Sequence, residues 1–194
     1  MDLAEFLPHV PRGDLWVFGY GSLMWAPHFR YLEKAPAMLH GYHRALCILS
    51  SRHRGTPERP GLVMGLCPGG SCWGVAFRVE RSRVQRTLRE LWQREMGRNV
   101  YAPRIVAIRV RQGRLVRALA FIAARGHPAV VRELDLHSRA QLVAQGIGGR
   151  GRCTDYVRQT LEHMHAIGVA DPHLARVLDT AEAIRASAAS RRER

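Results

Sequence analysis

Trp16-Val17-Phe18-Gly19-Tyr20-Gly21-Ser22-Leu23-Met24-Trp25 is the stretch from which the chain is best read. Its first half is an apolar, aromatic run of strand type, and it ends abruptly at two glycines flanking a tyrosine. A buried strand that stops this way releases the backbone into a tight turn. Glycine there allows positive φ and leaves no side chain between the amide N–H groups and whatever approaches them. Successive N–H groups in such a turn form a concavity suited to an anion. An ordinary strand-to-loop turn has the same pattern, since most Gly-x-Gly turns bind nothing.

Outward from this stretch, Leu15–Tyr20 reads as the first strand, after an irregular lead-in over 1–14 that contains Pro8, Pro11 and Gly13. Pro27 and Pro36 punctuate a loop, and 38–49 reads as extended, broken near Gly41. Residues 51–61 form a polar loop whose length suggests function over mere connection. Leu62–Cys67 and Cys72–Val79 read as a hairpin about Gly69-Gly70. The period then changes. Val84, Leu88, Leu91 and Trp92 have helical spacing within 81–96, and Gly97 is a plausible stop. Two alternating strands, 102–110 and 114–123, meet around Gln112-Gly113. Three helices follow over about 138–145, 154–167 and 172–189, the last with Asp171 as N-cap and Pro172 at its first position. The expected class is α+β: an antiparallel-rich sheet interrupted by one helix, then helices packed on it. Residues 15–189 are expected to form a single domain, with 190–194 as a basic tail.

At 194 residues the chain is long enough for one full core, and 46% apolar with 24% charged residues is a globular composition. It has no run of about 18 apolar residues, which argues against a membrane span. Its acidic start (Met1-Asp2-Leu3-Ala4-Glu5) has no basic and apolar leader, which argues for a cytoplasmic protein. The formal charge of +14 raises the question of nucleic acid. However, Lys34 is the only lysine among 30 basic residues, and the arginines are spread along the chain rather than gathered in a patch. Cys47, Cys67, Cys72 and Cys153 show no C-x-x-C pairing and read as buried thiols. Neither they nor His163 and His165 suggest a metal site. Gly146-Ile147-Gly148-Gly149-Arg150-Gly151 matches G-x-G-x-x-G in letters only, because a helix precedes it where a dinucleotide site needs a strand. It reads as a flexible loop near the site.

The middle helix carries a charge in an unexpected place. Glu95 lies three residues after Trp92, four after Leu91, seven after Leu88 and eleven after Val84. At about 100° per residue, those spacings put it near the centre of the apolar stripe, whereas Glu90 projects well away from it. A carboxylate on a core-facing stripe is costly unless it is paired or faces a cavity. Desolvation would shift it towards the range of a general base. The alternative is a frayed last turn in which Glu95 reaches water or pairs with a neighbouring arginine.

Taken together, these residues resemble the ChaC-type, glutathione-specific γ-glutamylcyclotransferases. The matching blocks are Trp16–Trp25; His53-Arg54-Gly55 with Pro60-Gly61; Gly70-Ser71-Cys72-Trp73-Gly74-Val75-Ala76; Arg94-Glu95 followed by Tyr101; and Gly151-Arg152-Cys153-Thr154-Asp155-Tyr156. The resemblance implies a small mixed β-barrel with packed helices. It implies that Gly19, Tyr20, Gly21, Ser22 and Leu23 cradle a γ-glutamyl group and that Glu95 is the catalytic acid/base, with Tyr101 and Tyr156 as candidate pocket residues. The implied substrate is a small molecule, glutathione. The implied reaction is attack of its α-amine on its own γ-carbonyl to give 5-oxoproline and Cys-Gly, with no cofactor or metal required. Two rivals stay open: a cyclotransferase for other γ-glutamyl amino acids or amines, and a non-catalytic γ-glutamyl-binding regulator. Ser22 as a nucleophile lacks a readable histidine partner.

Overall fold

A computed structural model describes residues 1–191, so Arg192–Arg194 of the expected basic tail lie outside the described residues. The chain forms two compact units: Met1–Ala45 with Gly65–His127, and Leu46–Met64 with Pro128–Arg194.

Five strands close into a barrel in the order β1-β3-β2-β4-β5: β1 Leu15–Gly19, β2 Glu33–Ser50, β3 Gly61–Val79, β4 Tyr101–Val110 and β5 Leu115–Ala123. β1 runs antiparallel to β3 from Leu15↔Val79 to Gly19↔Val75. β4 pairs antiparallel with β2 through Leu39↔Ile108 and with β5 from Tyr101↔Ala123 to Arg109↔Leu115. The barrel closes through a parallel pairing of β1 with β5, Trp16↔Ala118 and Val17↔Leu119. The sheet is therefore mixed, and the α+β expectation holds. Closure leaves β1 no free edge, and all five of its residues are buried. The first unit's interior is filled by Leu15, Phe18, Leu39, Phe77, Ile108 and Phe121.

Helix α2 (Val84–Glu95) buries Val84, Leu88 and Leu91 of the predicted face with Thr87 beside them, while Trp92 is partly exposed. Residues 1–14, expected to be irregular, contain a short helix, α1 (Leu3–Phe6). One turn of helix does not persist alone. Asp2 and Glu5 close a capping box over it, and the Phe6 ring packs 4.9 Å from that of Trp92. Burying one phenylalanine stabilises by about 2 kcal/mol, enough to anchor so short an element.

Three other expectations are corrected. The hairpin expected at 62–79 is the single strand β3. Gly69 (φ +94°) and Gly70 (φ +72°) bend it without reversing it, and the polar loop 51–60 makes the turn between β2 and β3. β2 begins at Glu33, so Pro36 lies inside it near its start, where a missing N–H is tolerated. β2 also runs unbroken through Gly41, whose φ of +83° absorbs the irregularity.

The second unit holds α3 (Leu136–Gln145), the two-residue strands β6 (Ile147–Gly148) and β7 (Gly151–Arg152), α4 (Cys153–His165) and α5 (Pro172–Ser190). Asp135 caps α3 by accepting from Ser138 N–H at 2.7 Å, and Asp171 caps α5 by accepting from Leu174 N–H at 2.9 Å. The 146–151 segment is not a loose loop. A Cβ on Gly146 would lie 2.3 Å from the Arg54 carbonyl oxygen, and one on Gly148 would lie 2.6 Å from Gly55 N. These glycines permit backbone-to-backbone packing on 53–55, further tied by Gly149 N–H to Arg52 O and Arg150 N–H to His53 O, both 2.9 Å.

Candidate active site

The barrel's first strand ends at Gly19, and the chain turns through Tyr20 and Gly21 into a single 3-10 turn, Ser22–Met24. Met24 N–H bonds Gly21 O at 2.8 Å and Ala26 N–H bonds Ser22 O at 2.9 Å. Neither Gly19 nor Gly21 adopts positive φ, contrary to expectation. Close approach explains Gly19 instead: a Cβ there would lie 2.9 Å from the Leu23 Cβ and 3.1 Å from the Leu23 carbonyl carbon. Leu23 folds back over the strand end and is itself buried.

Tyr20 is buried, and its hydroxyl donates to Phe121 O at 2.6 Å, which ties the turn to β5. From the other side, Arg44 Nε donates to Tyr20 O at 2.7 Å, and another arm of the same guanidinium reaches Trp73 O. Arg44 thus braces the turn with β2 and β3. The sequence contains no sign of this, because an arginine in a strand ordinarily reads as solvated.

Glu95 is the last residue of α2, and its side chain is only 15% exposed; on the same helix, Glu90 is 39% exposed. Both features left open by the sequence are present at once: the carboxylate is sequestered, and it is paired with an arginine. Arg94, 11% exposed, places Nε 2.8 Å from Glu95 Oε1. Its Nη2 donates to Ser22 Oγ at 2.9 Å, and its Nη1 donates to the carbonyl of Ala26. One guanidinium therefore spans from the carboxylate to the turn. The fork supplies five donors in a rigid plane, which is why arginine and not lysine can hold three groups at once.

Tyr101 opens β4, partly exposed, with its ring 6.5 Å from Phe121 in an edge arrangement. Phe121 also meets Trp92 of α2 at 6.1 Å. Phe121 is thus common to the Tyr20 hydroxyl, Trp92 and Tyr101, and it ties the first strand's turn, the glutamate's helix and β4 into one packed group.

Tyr156 lies in the second unit. It is 5% exposed, and its hydroxyl accepts from Met64 N–H at 3.0 Å. The Arg54 guanidinium sits 5.4 Å above its ring and donates to Arg152 O at 3.0 Å. Burial lowers the Arg54 pKa from its ordinary value. Beside them, the Cys153 thiol donates to Leu62 O at 2.9 Å and accepts from Leu62 N–H at 3.3 Å, and burial pushes its pKa up to about 11. All four cysteines are buried thiols outside any disulfide, as expected. Among the described residues, no helix is long and apolar enough to cross a membrane.

The family model for ChaC-like proteins matches residues 15–184. The chain is 34% identical to the glutathione-specific gamma-glutamylcyclotransferase of Escherichia coli, over 84% of this chain and 71% of that protein. It is also 34% identical to the glutathione-specific gamma-glutamylcyclotransferase 1 of Danio rerio, over 84% and 86%, and 30% identical to that of Homo sapiens, over 87% and 81%. In fold it is similar to the crystal structure of a glutathione-specific gamma-glutamyl cyclotransferase from yeast, with a TM-score of 0.82 and 22% identity over 90% of this chain and 98% of that one. By the extent of the family match and by these relatives, the chain belongs to the ChaC-like family.

Proposed function

We propose that the protein is a glutathione-specific γ-glutamylcyclotransferase with Glu95 as its proton-transfer group. The observation that carries the reading is the span from Glu95 through Arg94 to Ser22, which brings a sequestered carboxylate to the Gly19–Leu23 turn. In the reaction, the substrate's α-ammonium gives a proton to Glu95, and the freed amine attacks the γ-carbonyl carbon of the same residue. A C–N bond closes the five-membered ring. The old amide C–N bond then breaks as Glu95 returns its proton to the departing nitrogen, which also takes up the second proton that the ring nitrogen sheds. The products are 5-oxoproline and Cys-Gly. The balance needs no oxidant, reductant or covalent enzyme intermediate.

The turn of Gly19, Tyr20, Gly21, Ser22 and Leu23 holds the amino-acid head of the substrate through its backbone. The Tyr20 and Ser22 side chains already serve Phe121 and Arg94. Tyr101, partly exposed beside Phe121, lines the pocket, while Tyr156 supports Arg54 with its ring face. Holding nitrogen and carbonyl in near-attack geometry is worth on the order of 7 kcal/mol in well-oriented cases, and one positioned general base adds about 10²–10⁴ in rate. Four cysteines that form no disulfide suit a cytoplasmic, reducing setting.

The test is to incubate pure protein with glutathione and, in parallel, with γ-glutamyl-alanine, and to assay 5-oxoproline and Cys-Gly. Release from glutathione alone is expected. Release from γ-glutamyl-alanine at an equal rate would broaden the substrate class to γ-glutamyl amino acids. Binding of either without release would make the protein a sensor.

A further inference from the structure

We propose that Arg94 is a positioning residue for the reaction: it sets the Glu95 carboxylate against the substrate-holding turn, so that one rigid fork registers base and substrate together. The inference rests on the reading of Glu95 as the proton-transfer group. Its own support is geometric. Glu95 is the last residue of its helix, followed by Met96 and Gly97, and helix position alone does not fix a side chain's torsions. A glutamate has three side-chain torsions, and proton transfer needs the acceptor oxygen within about 0.5 Å of its place.

The Arg94 fork removes that freedom. Nε holds Glu95 Oε1 at 2.8 Å, Nη2 holds Ser22 Oγ at 2.9 Å, and Nη1 holds the Ala26 carbonyl just past the turn. Ser22 and Ala26 are also joined by the Ala26 N–H to Ser22 O bond of 2.9 Å. The guanidinium therefore grips both flanks of one short turn and the carboxylate at once. Arg94 needs no contact with the substrate to do this; it acts through Glu95 and Ser22. Arg86 is 77% exposed and, among the described residues, bonds Glu90 on its own helix, so a nearby acid does not by itself create such a link.

Three variants of the full chain test the role: Arg94→Gln, Arg94→Lys and Ser22→Ala. Each is assayed for 5-oxoproline release from glutathione across substrate concentrations, alongside wild type and Glu95→Gln. Arg94→Gln is expected to lower kcat about 10–100-fold with KM changed less than about three-fold. Arg94→Lys is expected to recover only part of that loss, because an ammonium cannot hold three groups in a plane. Ser22→Ala, which removes one of the fork's two holds on the turn, is expected to lower kcat about three- to ten-fold. Circular dichroism and melting curves normalise every rate to folded protein. Should Arg94→Gln fail to fold, Arg94→Lys and Ser22→Ala decide. The inference is overturned if kcat per folded molecule stays within two-fold of wild type in the variants that fold, or if the loss appears in KM alone. An inactive wild type, or a fully active Glu95→Gln, would instead overturn the proposed function on which it rests.

Discussion

Arg94 is largely withdrawn from water and Arg54 is half-buried, and they do different things in their two units. Arg94 meets an acid: its fork joins Glu95, Ser22 and the Ala26 carbonyl. Arg54 meets a ring and a carbonyl: it lies over Tyr156 and donates to Arg152 O, with no carboxylate within ion-pair distance among the described residues. Around Arg54, the groups that share its burial are neutral, namely the Tyr156 hydroxyl and the Cys153 thiol, each bonded to β3 backbone. The first arrangement places a sheltered carboxylate beside a turn. The second clamps a loop onto a strand and a helix. The same side chain thus joins an acid to a turn in one unit and clamps backbone in the other, according to what its fork finds.

Four substitutions break or sharpen that contrast. The largest effect is expected at Glu95. Glu95→Gln should keep the fold and glutathione affinity, read by melting curves and by titration calorimetry, while turnover falls about 10²–10⁴-fold. Near-normal turnover would reduce Arg94–Glu95 to a structural pair like any other. Tyr156→Phe comes next. It removes the buried acceptor of the Met64 N–H and should cost about 1–3 kcal/mol in urea unfolding, with KM for glutathione unchanged. A raised KM at unchanged stability would move Tyr156 from the clamp into the substrate pocket.

Cys153 provides a third test. Burial lifts its thiol from an ordinary 9.0 to about 11, so the unfolded chain ionises it first. Its contribution to stability is full below pH 9 and is lost as the pH rises towards 11. The difference in unfolding free energy between wild type and Cys153→Ala should therefore be flat from pH 7 to about 8.5 and shrink above pH 9. A difference that grows between pH 7 and pH 9 would mean a thiolate in the fold. The smallest effect is expected at Glu90. Its pair with Arg86 lies on an exposed helix face, and Glu90→Gln should leave kcat, KM and melting temperature within error of wild type. A loss of activity there would end the distinction drawn between the two glutamates of α2.

The sequence by itself determined the local elements and the odd position of one charge. Apolar period marks β1, α2, β4, β5 and the three C-terminal helices to within a few residues, because amphipathic spacing is a one-dimensional record of which face meets a core. The same arithmetic sets Glu95 on the sheltered side of α2 and Glu90 on the open side. Where a residue's role depended on a distant neighbour, the local reading ran out. Gly69-Gly70 carries a hairpin signal, yet a closed barrel needs β3 to continue, and the glycines became a bend. Gly19 is required by the returning Leu23 side chain and not by a left-handed backbone.

Only the tertiary structure decided that Arg94, the sequence neighbour of Glu95, reaches a serine 72 positions away, or that Arg44 braces the turn from β2. Long flexible side chains choose their partners by the packing around them. That packing is a property of the assembled barrel and helix and of no stretch of sequence alone.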